Sequence, residues 1–295
     1  MTLFTGSGVA IVTPFTNSME VNYPKLKELL EFHVENNTDA IVINGTTGES
    51  ATMTDEESLD VIRFTVDVIN NRIPVIAGTG SNDTRHALEF SIAATKLGVD
   101  GLLIVTPYYN KGNENGIYNH YKSIAEAVDC PIILYNVPSR TGVNLSIPLL
   151  KRLAEIDNII AIKEASGNIS YAAEIARVIP SLTIYSGNDD MVIPLLSLGA
   201  KGVISVSANI IPKITHEMVI SFLNSDINKG MRLQLDYNGL VNALFIETNP
   251  IPIKDAMNFL GYDVGPCRLP LGEMFEENKL TLHNILNEYG VEKWI

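Results

Sequence analysis

Cysteine is nearly absent from this sequence. Among 295 residues there are two, Cys130 and Cys267, far apart and outside any CxxC. That excludes a disulfide framework and a cysteine-built zinc site, and leaves two ordinary half-buried thiols. Histidine is also scarce. His33, His86, His120, His216 and His283 never fall at metal-ligand spacing, so no metal site is expected. Positive charge is short, with 21 lysines and arginines against 34 acids and a net charge of −13. No basic stripe follows a phosphate backbone, and no cationic amphipathic segment suits a lipid surface, so neither nucleic acid nor membrane is expected as a partner. No apolar run approaches the roughly 18 residues of a membrane span. The opening MTLFTGSGVAIVTPF lacks the pattern of a signal peptide, so the cytoplasm is the expected compartment.

What the chain has is apolar content, 46% of its residues, arranged in alternation. Short β-rich runs begin at Val9 (VAIVTPF), Ala40 (AIVINGT), Pro74 (PVIAGTG), Gly101 (GLLIVTP), Pro131 (PIILYNVP), Ile159 (IIAIKEAS), Leu182 (LTIYSGN) and Gly202 (GVISVSAN). They are continuous rather than alternating, as in a parallel sheet covered by helices on its outer face. Between them lie helical periods. Leu26, Leu29, Leu30 and Val34 share one face, and Leu59, Ile62, Val66 and Ile69 another. Thr54 with Glu57 forms a capping box, Asn22 with Pro24 marks a helix start, and Leu97-Gly98 and Leu198-Gly199 mark helix ends. Eight strand–helix units predict a (β/α)8 TIM barrel over residues 1–225. A doubly wound sheet would show a GxGxxG turn after its first strand, and none is there. Residues 226–295 contain helical stretches and a proline-rich ETNPIPIK, and read as a C-terminal helical extension packed on the barrel.

In such a barrel the chemistry sits at the C-terminal ends of the strands. The second strand runs into Gly45-Thr46-Thr47-Gly48-Glu49, and the fourth into Thr106-Pro107-Tyr108-Tyr109-Asn110. The fifth carries Tyr135 and leads to Pro138-Ser139-Arg140-Thr141-Gly142. The sixth carries Lys163, and the seventh ends in Ser186-Gly187-Asn188-Asp189. Taken singly, each has an ordinary reading. A strand lysine snorkels or pairs, Tyr135 is a core tyrosine, Arg140 lies on the surface, GTTGES opens a helix, and Met191 and Met231 pack. Glu164 follows Lys163 but points to the opposite face of its strand.

Together they describe a reaction. A lysine taken out of water gives up its proton more readily, and its neutral amine attacks ketones to form an imine. The imine is its own electron sink, so no cofactor is needed. Its conversion to an enamine needs a proton carrier, a task for a tyrosine held by a threonine hydroxyl. Paired N–H groups at GTTG suit one carboxylate, and a guanidinium binds a second bidentately. The set reads as a class I aldolase for an α-keto acid.

The strings GTTGES (45–50), GTGSN (78–82), TPYYNK (106–111), YNVPSRTG (135–142), IKEASG (162–167), SGNDD (186–190) and GVISVSAN (202–209) occur in that order. In them the chain resembles the 4-hydroxy-tetrahydrodipicolinate (dihydrodipicolinate) synthase family of pyruvate-dependent class I aldolases, relatives of N-acetylneuraminate lyase. The resemblance implies condensation of pyruvate with L-aspartate-4-semialdehyde on the diaminopimelate route to lysine. It implies Lys163 as the Schiff-base lysine and Tyr135 as the proton relay. Thr46 would link Tyr135 to a Tyr109 reaching in from the neighbouring subunit, and Thr47 would hold the pyruvate carboxylate. Arg140 would bind the semialdehyde carboxylate, while Gly187 and Ile204 line the pocket. It implies a homotetramer built from two tight dimers. Some members bind lysine at the dimer interface through histidines after GESAT and a glutamate after GTGxN. Asn82, Ser50 and Tyr108 fit that pattern, but Asp55, Ser58 and His86 stand at the charged positions, so inhibition by lysine is expected to be weak or absent.

Overall fold

A computed structural model describes residues 2–291. In chain order the elements are β1 Gly6–Ala10, α1 Tyr23–Glu35, β2 Ala40–Ile43, α2 Asp55–Ile69, β3 Val75–Gly78, α3 Thr84–Lys96, β4 Gly101–Val105, α4 Glu114–Ala125, β5 Ile132–Asn136, α5 Pro138–Thr141, α6 Ile147–Leu153, β6 Ile159–Glu164, α7 Ile169–Val178, β7 Thr183–Ser186, α8 Val192–Ser197, β8 Gly202–Ser205 and α9 Pro212–Leu223. The eight strands are parallel and close into a barrel in sequence order, β8 pairing back onto β1. This is the predicted (β/α)8 architecture.

Local chemistry sets the helix ends. Thr54 and Glu57 exchange both capping-box bonds, at 3.2 and 2.9 Å, and the Asn22 side chain accepts from the N–H of Lys25. Gly98 and Gly199 take positive φ just past α3 and α8. The apolar faces meet the sheet as the periodicity requires, with Leu26, Leu29, Leu30, Ile62 and Ile69 buried. Each such side chain contributes roughly 1.5–3 kcal/mol.

One strand is displaced from its expected place. The first begins at Gly6, three residues before the apolar run at Val9, and ends at Ala10. A Cβ on Gly202 would meet the Gly6 carbonyl oxygen at 2.0 Å, so glycine allows β8 and β1 to close the barrel there. The run from Ile11 then leaves the sheet toward Pro14, which has no N–H to offer a ladder. Inside the barrel, Val42, Ile76, Leu103, Ile133, Ala161 and Ile204 pack against one another. Tyr185 belongs to the same cluster, with its ring stacked on Phe4 at 4.3 Å and its hydroxyl donating to the Phe4 carbonyl at 2.7 Å.

After α9 come α10 Ile227–Ala243, α11 Ile251–Phe259 and α12 Glu276–Glu288. A buried ion pair joins them to the barrel. Lys254 Nζ, on α11, lies 2.8 Å from Glu49 Oε1 and donates to the carbonyls of Thr13 (3.1 Å) and Pro266 (2.7 Å). The backbone N–H of Arg268 holds the other Glu49 oxygen at 2.8 Å. Burial pushes the Lys254 pKa down, and Glu49 opposes that shift. Breaking a buried pair from one side typically costs about 3–5 kcal/mol. The extension is therefore clamped to the loop that follows β2. No helix among the described residues is long and apolar enough to cross a membrane.

Candidate active site

Lys163 is the fifth residue of the six-residue β6, with its side chain on the inner face near the C-terminal rim of the barrel. It is 6% exposed, and its Nζ makes neither a hydrogen bond nor an ion pair among the described residues. The ladder places Tyr135 beside it on β5 and Tyr185 beside it on β7. Its Nζ lies 4.3 Å from the centre of the Tyr135 ring. Glu164 points outward, as alternation requires. Its carboxylate accepts from Asn136 Nδ2 (2.8 Å) and the N–H of Ser166 (2.6 Å), and burial raises its pKa against those bonds. The buried lysine and the buried glutamate thus stand on opposite faces of one strand.

Gly187 approaches the lysine closely. A Cβ there would sit 3.1 Å from Lys163 Cε and 2.6 Å from Ala165 Cβ, so a larger residue would press on the amine's stem. Ile204 is buried on the inner face of β8, in the same cluster as Tyr135 and Tyr185.

The GTTGES segment turns tightly between two left-handed residues, Asn44 (φ 57°) and Glu49 (φ 56°). The N–H groups of Gly48 and Glu49 bond back to Gly45 (3.1 Å) and Thr46 (3.1 Å), while those of Thr46 and Thr47 have no protein acceptor among the described residues. Two unpaired, adjacent N–H groups suit an anion. The Thr47 hydroxyl is buried and accepts from Asn249 Nδ2 at 3.0 Å. Arg140 lies exposed on α5, its Nη2 donating to the Asn249 carbonyl at 2.9 Å. Asn136 fixes the segment carrying Arg140, donating to Asn144 (2.8 Å) and accepting from the N–H of Leu145 (3.1 Å).

The expected line from Tyr135 through Thr46 to Tyr109 is not closed within one chain. The three hydroxyls share no hydrogen bond, and Tyr109 projects away, 88% exposed on a residue with φ 72°. Met231, read as packing, is 45% exposed on α10. The thiols fit their ordinary reading, Cys130 pushed up to about 11 and Cys267 to about 12 by burial.

Two residues near the site carried no distinct signal in the sequence. Asp189 is buried beside β8, its Oδ2 accepting from the N–H groups of Val206 (2.9 Å) and Ser207 (3.3 Å) and its Oδ1 unpartnered. Burial raises its pKa, while these bonds, Ser205 and the Lys163 charge draw it back. The string SGNDD shows two adjacent acids without saying which is buried. Asn249 is the other, visible only as a residue before a proline.

A sequence model of the dihydrodipicolinate synthetase family matches residues 3–289. The 4-hydroxy-tetrahydrodipicolinate synthase of Brachyspira hyodysenteriae is 55% identical over 293 residues, covering 99% of this chain and 100% of that one. Among solved structures, dihydrodipicolinate synthase from Acinetobacter baumannii, complexed with pyruvate, superposes with a TM-score of 0.96 at 45% identity, covering 98% of this chain and 100% of that one. The dihydrodipicolinate synthase of Cyanidioschyzon merolae, solved with lysine bound, gives 0.95 at 40% identity, covering 99% and 100%.

Proposed function

This chain belongs to the dihydrodipicolinate synthetase family, and we propose that it condenses pyruvate with L-aspartate-4-semialdehyde, the reaction of a 4-hydroxy-tetrahydrodipicolinate synthase in the diaminopimelate route to lysine. The observation that carries this reading is a buried lysine that makes no direct ion pair among the described residues, at the C-terminal rim of the barrel beside a tyrosine. The Lys163 amine adds to the pyruvate ketone, and loss of water gives a protonated imine. Tyr135 carries the proton lost from the methyl carbon, leaving an enamine. The enamine carbon attacks the semialdehyde aldehyde, forming the new C–C bond. The substrate's own amino group then displaces Lys163 from the imine and closes the ring. Thr47, with the N–H pair at Thr46 and Thr47, holds the pyruvate carboxylate, and Gly187 and Ile204 shape the pocket around it. In the assembled dimer Thr46 links the Tyr135 hydroxyl to the partner subunit's Tyr109.

The chain works as a homotetramer of two tight dimers in the cytoplasm, organised as a barrel over residues 1–225 and an extension over 226–295. Exposed Tyr109 supports the shared site, and an exposed apolar stripe of Ile227, Met231 and Leu235 on α10 supports a second contact. Assay of pyruvate with aspartate semialdehyde beside pyruvate with N-acetylmannosamine tests the substrate. Turnover of the sugar alone would reassign the reaction.

Arg140 is exposed at the mouth, and its guanidinium has donors left after its bond to Asn249. Arg140→Ala should lower kcat/KM for the semialdehyde about tenfold to a hundredfold, the worth of one charge-assisted pair. Pyruvate adduct formation should stay close to wild type. Equal loss toward both substrates would make Arg140 a structural residue.

L-Lysine should inhibit weakly or not at all. An effector ammonium needs a free carboxylate, but Asp55 is taken by His86, whose Nε2 lies 2.9 and 3.0 Å from its oxygens. Ser58 offers no charge and is buried. Half-maximal inhibition below about 1 mM, a free energy near −4 kcal/mol, would contradict this.

A further inference from the structure

Asn249 belongs to the extension, yet both ends of the residue are spent on the mouth of the barrel. Its carbonyl oxygen takes Arg140 Nη2 at 2.9 Å, across 109 positions of sequence. Its side-chain Nδ2 reaches Thr47 Oγ1 at 3.0 Å, across 202 positions. It is 6% exposed, and its Oδ1 is buried without a partner. Asn249 is also held firmly, because α11 begins two residues later and carries Lys254 into the Glu49 ion pair. Glu49 lies two residues beyond Thr47, so two ties run side by side from the extension to one loop.

We propose that Asn249 is a positioning residue that orients the Thr47 hydroxyl toward the pyruvate carboxylate and parks the Arg140 guanidinium at a fixed distance from it. The proposal rests on the reaction described above. A hydroxyl has one proton to give and two lone pairs. When Thr47 accepts from Asn249, one lone pair is occupied and the O–H is left to donate to an anion. Without that amide the hydroxyl rotates freely and can spend its proton elsewhere. The Arg140 tie has a different character. It is made to a backbone carbonyl, which any residue at 249 provides.

This difference separates the two roles in one experiment. Asn249→Ala removes the tie to Thr47 and keeps the tie to Arg140. The KM for pyruvate, and the pyruvate concentration that half-saturates borohydride trapping, should rise about three- to tenfold, the worth of a neutral hydrogen bond. The KM for the semialdehyde and kcat at saturation of both substrates should stay within about twofold, below the effect of one lost hydrogen bond. Asn249→Asp has the same size but the opposite chemistry. It accepts the Thr47 proton and sets a negative charge beside the carboxylate site, so its loss of pyruvate affinity should exceed that of Asn249→Ala. A packing role predicts the reverse order. In a Thr47→Val background, Asn249→Ala should add little, because the group it acts through is gone. Unchanged pyruvate affinity in Asn249→Ala overturns the proposal. So does an equal rise in both KM values, or additivity with Thr47→Val. A wild-type protein that traps no pyruvate would overturn the reaction itself, and a wild type that traps pyruvate beside an indifferent Asn249→Ala overturns the role of Asn249 alone.

Discussion

Lys163→Ala is expected to leave a folded protein that takes up no pyruvate under borohydride and turns over slower by several orders of magnitude. The fold should survive because Lys163 Nζ makes no hydrogen bond or ion pair among the described residues, so its removal strands no partner. Asp189, whose pKa burial raises and the Lys163 charge partly draws back, should shift further toward its protonated form, which a buried site favours. Activity should collapse because the covalent step has no substitute. Without the amine there is no imine, and without the imine the pyruvate methyl carbon has no electron sink at neutral pH. The groups proposed to hold the carboxylate remain, so a trace of catalysis from positioning can persist. Turnover within tenfold of wild type in Lys163→Ala would remove the lysine from the chemistry.

Tyr135→Phe isolates the next step. The ring stays, including its packing in the barrel interior and its place 4.3 Å from the Lys163 amine, while the hydroxyl goes. Pyruvate should still bind and be trapped, but turnover should fall about 10² to 10⁴-fold, the usual cost of losing a positioned proton carrier. The loss should fall on kcat more than on the pyruvate KM, because the proposed task of the hydroxyl is proton transfer rather than holding the substrate. A Tyr135→Phe enzyme with near wild-type kcat would leave Tyr135 as a core aromatic.

Much of this was legible in the sequence, for identifiable reasons. Barrel strands buried on both faces read as unbroken apolar runs, and seven of the eight begin within a residue of where those runs begin. The exception, β1, starts on glycines, which carry no hydrophobic signal and are chosen for backbone approach. Lys163 stood out because a charge at the end of IIAIKEAS breaks the pattern of its own strand. Tyr135 and Arg140 gained meaning only as members of a set converging on one rim.

Asn249, Asp189 and the Glu49–Lys254 pair stayed hidden for a common reason. Their burial and partners are fixed by packing between segments distant in sequence, 205 positions apart for Glu49 and Lys254. No local period records such a distance. Tyr109 shows the opposite limit, since a side chain left 88% exposed takes no meaning from the packing of its own chain.

The most direct test of the central claim is borohydride trapping of the wild-type protein with pyruvate, followed by peptide mapping of the adduct. Imine formation at the rim of the barrel predicts one reduced adduct per chain, on the peptide containing Lys163. An adduct on a different lysine, or no adduct at saturating pyruvate, would contradict it.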